Sequence, residues 1–177
     1  LTHACETTNT PLLHLSTGCV YHGDNHGHGW TEDEPPHLDV NRCGYYVASK
    51  LMAEQSVRRW GRHYICRVRL PFDGIDHPRN LLTKLQKFEY VVDETQSLTH
   101  RGDAVRAMLD LSQSEAPYGT YHLTSPGAVK YTDLCNQLSV ALYNGKKRFN
   151  VIPAGEFDRT MARTIKSRCV LNTTKLA

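Results

Sequence analysis

Tyr46 and Lys50 are the two residues whose types and spacing point most directly to proton transfer. They stand four residues apart at the start of a segment with helical spacing, so a helix places both side chains on one face. An ammonium close to a phenol favours the phenolate, which suits a general acid or base. A surface tyrosine beside a solvated lysine has the same spacing, so a second feature is needed before the pair indicates a catalytic site.

That second feature is a pair of hydroxyl residues at the end of an apolar run. Residues 11–17 suit a buried parallel strand, and Ser16 and Thr17 end it. In open α/β sheets, ligands bind at the carboxyl ends of the strands. We therefore expect a hydroxyl of this strand end to share a site with Tyr46 and Lys50.

The elements that must position these residues alternate along the chain. Their spacing predicts strands at 11–17, 63–70, 89–93 and 119–124, and helices at 46–61, 81–88, 103–111 and 133–142. Strands separated by helices predict a mostly parallel sheet with helices on its faces.

Composition narrows the function classes. The chain has 177 residues with a net charge of +3, from 21 basic and 18 acidic side chains that are scattered rather than clustered, which argues against a nucleic-acid partner. No apolar run is long enough for a membrane-spanning helix. The six cysteines show no Cys-x-x-Cys spacing, which predicts reduced thiols and a cytoplasmic protein.

The strand-end hydroxyl and the Tyr-x-x-x-Lys pair together resemble the extended short-chain dehydrogenase/reductases, which include sugar-nucleotide epimerases, dehydratases and reductases. The resemblance continues through residues 66–72, 77–85, 119–124 and 171–176 and covers nearly the whole chain. The Pro-Arg-Asn-x-x-Thr-Lys stretch at 78–84 is similar to the branch that reduces 4-keto-6-deoxy sugar nucleotides. That branch contains the dTDP-4-dehydrorhamnose reductases and the bifunctional 3,5-epimerase/4-reductases.

The resemblance implies roles in the reductase step. Thr17, four residues before Tyr21, resembles the hydroxyl that hydrogen-bonds the substrate's C4 oxygen, and Tyr46 resembles the proton donor to that oxygen. Lys50 resembles the residue that holds the nicotinamide ribose. Tyr46, Lys50 and Pro71 are the contacts expected for NAD(P)H, with NAD and NADP not distinguished.

Two further residues bear on epimerisation. Cys19 stands two residues after Thr17, where relatives that epimerise before reducing carry a cysteine, and Lys84 matches a second acid/base of the rhamnose-type enzymes. A 4-keto group acidifies the protons on C3 and C5, so a thiolate and an ammonium on opposite faces could remove and return them. A packed thiol and a solvated helix lysine are the alternatives.

Departures from the family pattern also carry information. Gly18 and Cys19 replace the Asp-Glu pair of the dehydratase branch, which disfavours a 4,6-dehydratase. The arginine with which 4-epimerases hold a phosphate is not found at 96–100. Arg can pair bidentately with phosphate oxygens, and the diphosphate-binding residues expected here are Arg79, Asn80 and Arg163.

A loop with three histidines, His22, His26 and His28, has a spacing that could hold a metal ion. We interpret it as a solvent-facing loop and expect no metal, since the resembled family needs none.

The expected fold class is α/β, namely the C-terminal part of a Rossmann-like doubly wound parallel sheet plus a small α/β substrate-binding lobe. Residues 1–72 and 97–125 would form the catalytic part, and residues 73–96 and 126–177 the lobe. The glycine-rich dinucleotide fingerprint is not found in the sequence. We therefore expect an internal fragment of a longer enzyme, inactive without its N-terminal dinucleotide-binding half.

The leading functional prediction is reduction at C4 of a dTDP- or UDP-linked 4-keto-6-deoxyhexose with NAD(P)H, with 3,5-epimerisation at the same site as an option. Its partner is the nucleotide-sugar substrate, and a homodimer is compatible with the family. The alternatives are a nucleotide-sugar 4-epimerase and a non-catalytic binding or regulatory protein with a reductase-like fold.

Overall fold

The computed structural model describes residues 1–37, 44–162 and 166–177, and these residues form both helices and strands. The helices in these ranges are α1 (Thr2–Thr7), α2 (Tyr45–Val57), α3 (Leu81–Lys87), α4 (Arg101–Gln113), α5 (Tyr131–Tyr143) and α6 (Ala154–Thr160). The strands are β1 (Leu12–Thr17), β2 (His63–Val68), β3 (Pro71–Phe72), β4 (Tyr90–Asp93), β5 (Thr95–Gln96), β6 (Thr99–His100), β7 (Gly119–His122), β8 (Val129–Lys130) and β9 (Asn150–Pro153).

A three-stranded parallel sheet in the order β1-β2-β7 supports the expected site. Thr17 at the carboxyl end of β1 pairs with Val68 of β2. Tyr64 of β2 pairs with Gly119 at the start of β7. Parallel strands need crossover connections, which α2 and α4 supply. The carboxyl ends of all three strands therefore meet at one edge.

Both faces of this sheet are covered, which explains the apolar character of β2. On one face Ile65 packs with Leu12 and with Val57 of α2. On the other face Tyr64 and Cys66 belong to a core cluster that α4 completes. Burial on two sides is typical of a parallel strand, and the predicted α/β class is confirmed.

A second group of elements packs around α3 and α5. Strands β4 and β9 pair in parallel and β5 pairs with β8 antiparallel. Leu81 and Leu85 of α3 share a buried cluster with Val91 of β4 and with Tyr131 and Cys135 of α5. The division into residues 1–72 with 97–125 and residues 73–96 with 126–177 stays a prediction.

The chain departs from the predicted strand 63–70 near its end. Strand β2 stops at Val68, and Leu70 adopts a positive φ of 44°, so the backbone turns there. After this turn the chain is extended again, and Pro71 begins the short β3, which pairs with β6. A proline is tolerated at such an edge because it lacks only a donor.

Among the described residues, no helix has both the length and the apolar character needed to cross a bilayer.

Candidate active site

The strand end that carries Thr17 passes directly into a 3-10 turn over Gly18–Val20. The Oγ1 of Thr17 accepts a hydrogen bond of 3.2 Å from the backbone N–H of Cys19, so the hydroxyl caps this turn. Thr17 is buried, whereas Cys19 is half-buried and lines a cavity. The turn therefore holds two expected site residues together at the carboxyl end of β1.

The first turns of α2 carry the other two expected residues. Tyr46 is 56% exposed and lines the same cavity as Cys19. The Nζ of Lys50 donates a 3.1 Å hydrogen bond to the backbone oxygen of Leu15. The structure thus brings Tyr46 and Cys19 to one cavity, while Lys50 lies against the strand that ends in Thr17.

A buried ion pair attaches α2 to this sheet. The carboxylate of Glu54 accepts hydrogen bonds from Ser16 Oγ (2.6 Å), Arg67 Nε (3.0 Å) and Arg67 Nη2 (2.7 Å), and all three side chains are buried. Burial acts to raise the pKa of Glu54, but the hydrogen bonds and charge of Arg67 hold that pKa below its ordinary value. Because Ser16 precedes Thr17, the pair fixes the strand end relative to the helix.

The cavity has a volume of about 680 Å³. Tyr46, in its wall, is exposed to solvent. That volume lies within the ordinary range for small-molecule sites, roughly 300–1,000 Å³. Its walls carry aromatic rings and more cationic than anionic groups, which include Phe88, Tyr90, Phe157, Lys87, Lys166, Arg69 and Arg168 beside Glu89 and Glu94. Such a mixture suits an organic ligand that has both rings and negative charge.

Arg69 is the buried cation of this cavity. It is 5% exposed, and its Nη1 donates to the Sγ of Cys19 at 2.9 Å. Its Nη2 donates to the side-chain oxygen of Gln96 and to the backbone oxygen of Ser167.

A second arginine closes another part of the wall. Arg168 forms two hydrogen bonds with the Asp158 carboxylate, of 2.6 and 2.7 Å, and its Nε contacts Glu94. Burial raises the pKa of Glu94, although the charge of Arg168 opposes that shift. The guanidinium of Arg168 is thus shared between two carboxylates.

Several expected residues lie away from the cavity walls. Lys84 and Arg79 are exposed, and Pro71 pairs with Thr99 in the β3–β6 ladder. In the same helix as Lys84, Lys87 does line the cavity. Arg163 lies outside the described residues.

Asn80, an expected diphosphate contact, is buried and hydrogen-bonded within its own loop. Its Oδ1 caps α3 by accepting from the Leu82 N–H, and its amide donates to the backbone oxygens of Asp73 and Ile75. It is 2% exposed. These hydrogen bonds fix the start of α3, and the diphosphate contact of Asn80 stays a prediction.

The three-histidine loop gives no cluster of ligands. Within the part of the chain that the structure describes, no three His, Cys, Asp or Glu side chains are grouped closely enough to hold a metal ion.

Arg67 and Arg69 are two buried arginines at or next to the site, and the sequence analysis predicted no role for either. A signal was present, because two arginines at alternate positions near an apolar strand share one face. Buried charges of this kind need partners. Spacing could not reveal those partners, since Arg69 and Cys19 are 50 residues apart.

Comparison with known proteins shows the family to which the chain belongs. A family model, the RmlD substrate binding domain, matches residues 1–177. The bifunctional dTDP-4-dehydrorhamnose 3,5-epimerase/dTDP-4-dehydrorhamnose reductase of Arabidopsis thaliana is 26% identical over 141 residues, which are 76% of this chain and 45% of that protein.

Two solved structures share the fold. The L780 UDP-rhamnose synthase from Acanthamoeba polyphaga mimivirus superposes with a TM-score of 0.86 at 22% identity, over 99% of this chain and 61% of that one. The dTDP-4-dehydrorhamnose reductase from Bacillus anthracis, solved in complex with NADP, gives 0.76 at 19% identity, over 99% and 60%. The chain therefore spans between 45% and 61% of the length of these relatives.

Proposed function

The chain belongs to the RmlD substrate binding domain family, and from that premise we propose that it carries the catalytic and substrate-binding part of a nucleotide-sugar reductase. The substrate is a 4-keto-6-deoxyhexose linked to a nucleoside diphosphate, and the reaction is reduction of its C4 carbonyl. One observation carries this proposal: Tyr46 and Cys19 line one cavity at the end of the strand that presents Thr17.

In this reaction, Tyr46 donates its phenolic proton to the C4 oxygen as that oxygen gains negative charge. Thr17 supplies a hydroxyl at the same strand end and orients the carbonyl. Lys50, held on the Leu15 oxygen, keeps a positive charge on the side of α2 that faces β1. A positioned acid of this kind accounts for a rate factor of about 10²–10⁴.

NAD(P)H would supply the reducing equivalent. The donor set at α2 fits its ribose, because the ammonium of Lys50 has three N–H donors and the Leu15 oxygen takes one of them. The exposed phenol of Tyr46 lies one helical turn away. We propose Tyr46, Lys50 and Pro71 as the cofactor contacts, and this chain does not distinguish NAD from NADP.

We further propose 3,5-epimerisation at the same site. Cys19 would act as the base on one face of the sugar and Lys84 as the acid on the other, with the enolate charge on the C4 oxygen held by Thr17 and Tyr46. Arg79 remains a proposed contact of the diphosphate, since it is exposed close to α3. The reaction would take place in the cytoplasm, where free thiols such as those of Cys19 and Cys169 persist.

The experiment that tests the reductase step is Tyr46→Phe in the active enzyme. Loss of the phenolic proton should reduce NAD(P)H oxidation with a 4-keto-6-deoxy sugar nucleotide by about 10²–10⁴-fold. Tyr45→Phe is the matched control, because Tyr45 is the preceding residue of α2 and is 95% exposed. Equal rates in the Tyr46 and Tyr45 variants would contradict the proposal.

A further inference from the structure

Arg69 is held in place by three separate parts of the chain. Its backbone N–H donates to Thr99 Oγ1 at 2.8 Å, and its Nη2 donates to the side chain of Gln96 and to the backbone oxygen of Ser167. With 5% of its surface exposed, it has little freedom to leave Cys19. The position of the guanidinium is therefore fixed before any ligand enters the cavity.

The charge of Arg69 is not balanced by a carboxylate in direct contact. Among the ion pairs of the described residues, none involves Arg69, and its Nε has no hydrogen-bond partner. The nearby carboxylate of Glu94 is bonded to Arg168. An unpaired buried cation is costly, so an anion next to Arg69 would be strongly stabilised.

Cys19 is the group placed to provide that anion. The Arg69 Nη1 lies 2.9 Å from the Cys19 sulfur, which accepts its hydrogen bond. The other thiol near Arg69, Cys169, donates its own proton to the Gly18 oxygen at 3.2 Å. Burial acts to lower the pKa of Arg69, but the sulfurs of Cys19 and Cys169, and then Tyr131 and Glu94, raise it, so the guanidinium stays charged.

We propose that Arg69 is a positioning residue that holds Cys19 as a thiolate aimed into the cavity. The inference rests on the proposed epimerisation. The thiolate forms an S–H bond with the proton on C3 or C5, and the electron pair of the broken C–H bond becomes the C=C bond of an enolate. The carbonyl electrons move to the C4 oxygen, and a second acid returns a proton to the opposite face of the carbon.

The first test measures thiol chemistry and needs no turnover. The protein is treated with iodoacetamide between pH 6 and 9, and mass spectrometry reports the alkylation rate of each cysteine. Arg69→Gln should slow the alkylation of Cys19 at neutral pH by about 10- to 100-fold, the range for a hydrogen bond to a charged group. The loss should shrink at high pH, where any thiol ionises.

Arg106→Gln is the matched control, because Arg106 is an exposed arginine on α4, with its side chain 75% exposed. A purely structural Arg69 would give the opposite result, since removing it opens access to the sulfur and speeds alkylation. An unchanged or faster Cys19 rate in Arg69→Gln would overturn the proposal. Alkylation of the buried Cys66 reports whether the variant is folded.

If Arg69→Gln does not fold, the wild-type protein still tests the proposal. At pH 7, Cys19, which accepts the Arg69 hydrogen bond, should be alkylated about 10- to 100-fold faster than Cys5, the other half-buried thiol. Equal alkylation rates for Cys19 and Cys5 would overturn the proposal.

The second test separates this inference from the proposed function. In the active enzyme in D₂O, Arg69→Gln should suppress deuterium entry at C3 and C5, whereas the control Arg106→Gln should not. If the wild-type enzyme shows no deuterium entry, the proposed epimerisation fails, whatever the alkylation result. If wild-type deuterium entry is present and persists in Arg69→Gln, the role of Arg69 fails and the epimerisation stands.

Discussion

Cys19 and Tyr46 line the same cavity, but their surroundings differ in a way that matches their proposed tasks. Cys19 is held by the Thr17 cap on one side and by Arg69 on the other. Tyr46 is 56% exposed and is placed only by its position on α2. A base that must find one carbon benefits from fixed geometry, whereas an acid at an open rim can meet a substrate that arrives from solvent.

The thiol gives the first residue-scale prediction. Cys19→Ser nearly keeps the volume but replaces the thiol with a hydroxyl that does not ionise near neutrality. We expect deuterium entry at C3 and C5 to fall on the order of 10²-fold or more, and reduction of an epimerised substrate to continue. NMR of the sugar ring in D₂O measures both. Undiminished deuterium entry would return Cys19 to a packing role.

The second acid gives another prediction, because two lysines on one helix compete for it. Lys84 matches the family pattern and is exposed, and Lys87, one turn later, lines the cavity. We expect Lys84→Met to suppress deuterium entry if the family pattern holds, since Met keeps the apolar stem and removes the proton donor. Lys87→Met is the matched comparison in the same assay. Suppression in Lys87→Met alone would move the role to Lys87.

At this scale, sequence spacing could indicate Tyr46 and Lys50 because a helix brings residues four apart to one face. It could not indicate Arg69 or the cap of α3 by Asn80. Those roles depend on partners from other elements, and on whether polar atoms are already used.

At the scale of elements, α2 is the part that brings the proton donor to the sheet. Tyr46, Lys50 and Glu54 follow one another at intervals of four and share a helical face. Lys50 contacts the β1 backbone, and Glu54 contacts both Ser16 of β1 and Arg67 of β2. The helix is therefore attached to two strands along the face that carries the site.

This attachment predicts a large effect on stability. Glu54→Ala leaves the charge of Arg67 buried without its carboxylate partner, which costs about 3–5 kcal/mol. Ser16→Ala removes one hydrogen bond to a charged group, which costs about 1.5–3 kcal/mol. The free energy of unfolding in urea measures both. Gln55→Ala, at an exposed neighbouring position of α2, should change little, and three equal values would contradict the role of the ion pair.

The long elements were predictable, and the short ones were not. The strand predicted at 11–17 is present as β1 (Leu12–Thr17), because a short apolar run that ends in hydroxyl residues suits a buried parallel strand. The two-residue strands β5 and β8 have no periodicity to detect; they exist because the chain returns to pair Gln96 with Val129. Glu54 reads as a solvent-facing helix residue in the sequence, since nothing local shows that Arg67 lies beneath it.

For the molecule as a whole, the polar interior is as important as the apolar clusters. Arg67, which is fully buried, also reaches the Tyr21 hydroxyl at 2.7 Å and lies 3.5 Å from the Nε2 of His122. Its network therefore extends from α2 through the whole width of the sheet to β7. Such a network couples folding to pH, because each titratable member has a different pKa in the unfolded chain.

Within this network, His122 predicts a measurable dependence of folding stability on pH. Burial, and then the charge of Arg67, lower the pKa of His122 to about 4, against 6.5 for a free imidazole. Between these values the unfolded chain binds a proton that the folded protein does not. The stability that depends on a neutral His122 is therefore complete above pH 6.5, the unfolded pKa, and is lost as the pH falls toward 4. We expect it to reach on the order of 3 kcal/mol.

Urea unfolding from pH 7.5 to 4.5 measures this slope. Burial also lowers the pKa of His14 and of His22, so part of the loss of stability at acid pH persists without His122. His122→Gln should lower the stability at pH 7.5, where the native contacts of the imidazole are lost, and should flatten the decline toward pH 4.5. His3→Gln is the control, because the His3 side chain is 94% exposed and should leave the slope unchanged. A decline as steep in His122→Gln as in the wild type would show that the buried imidazole does not link folding to pH.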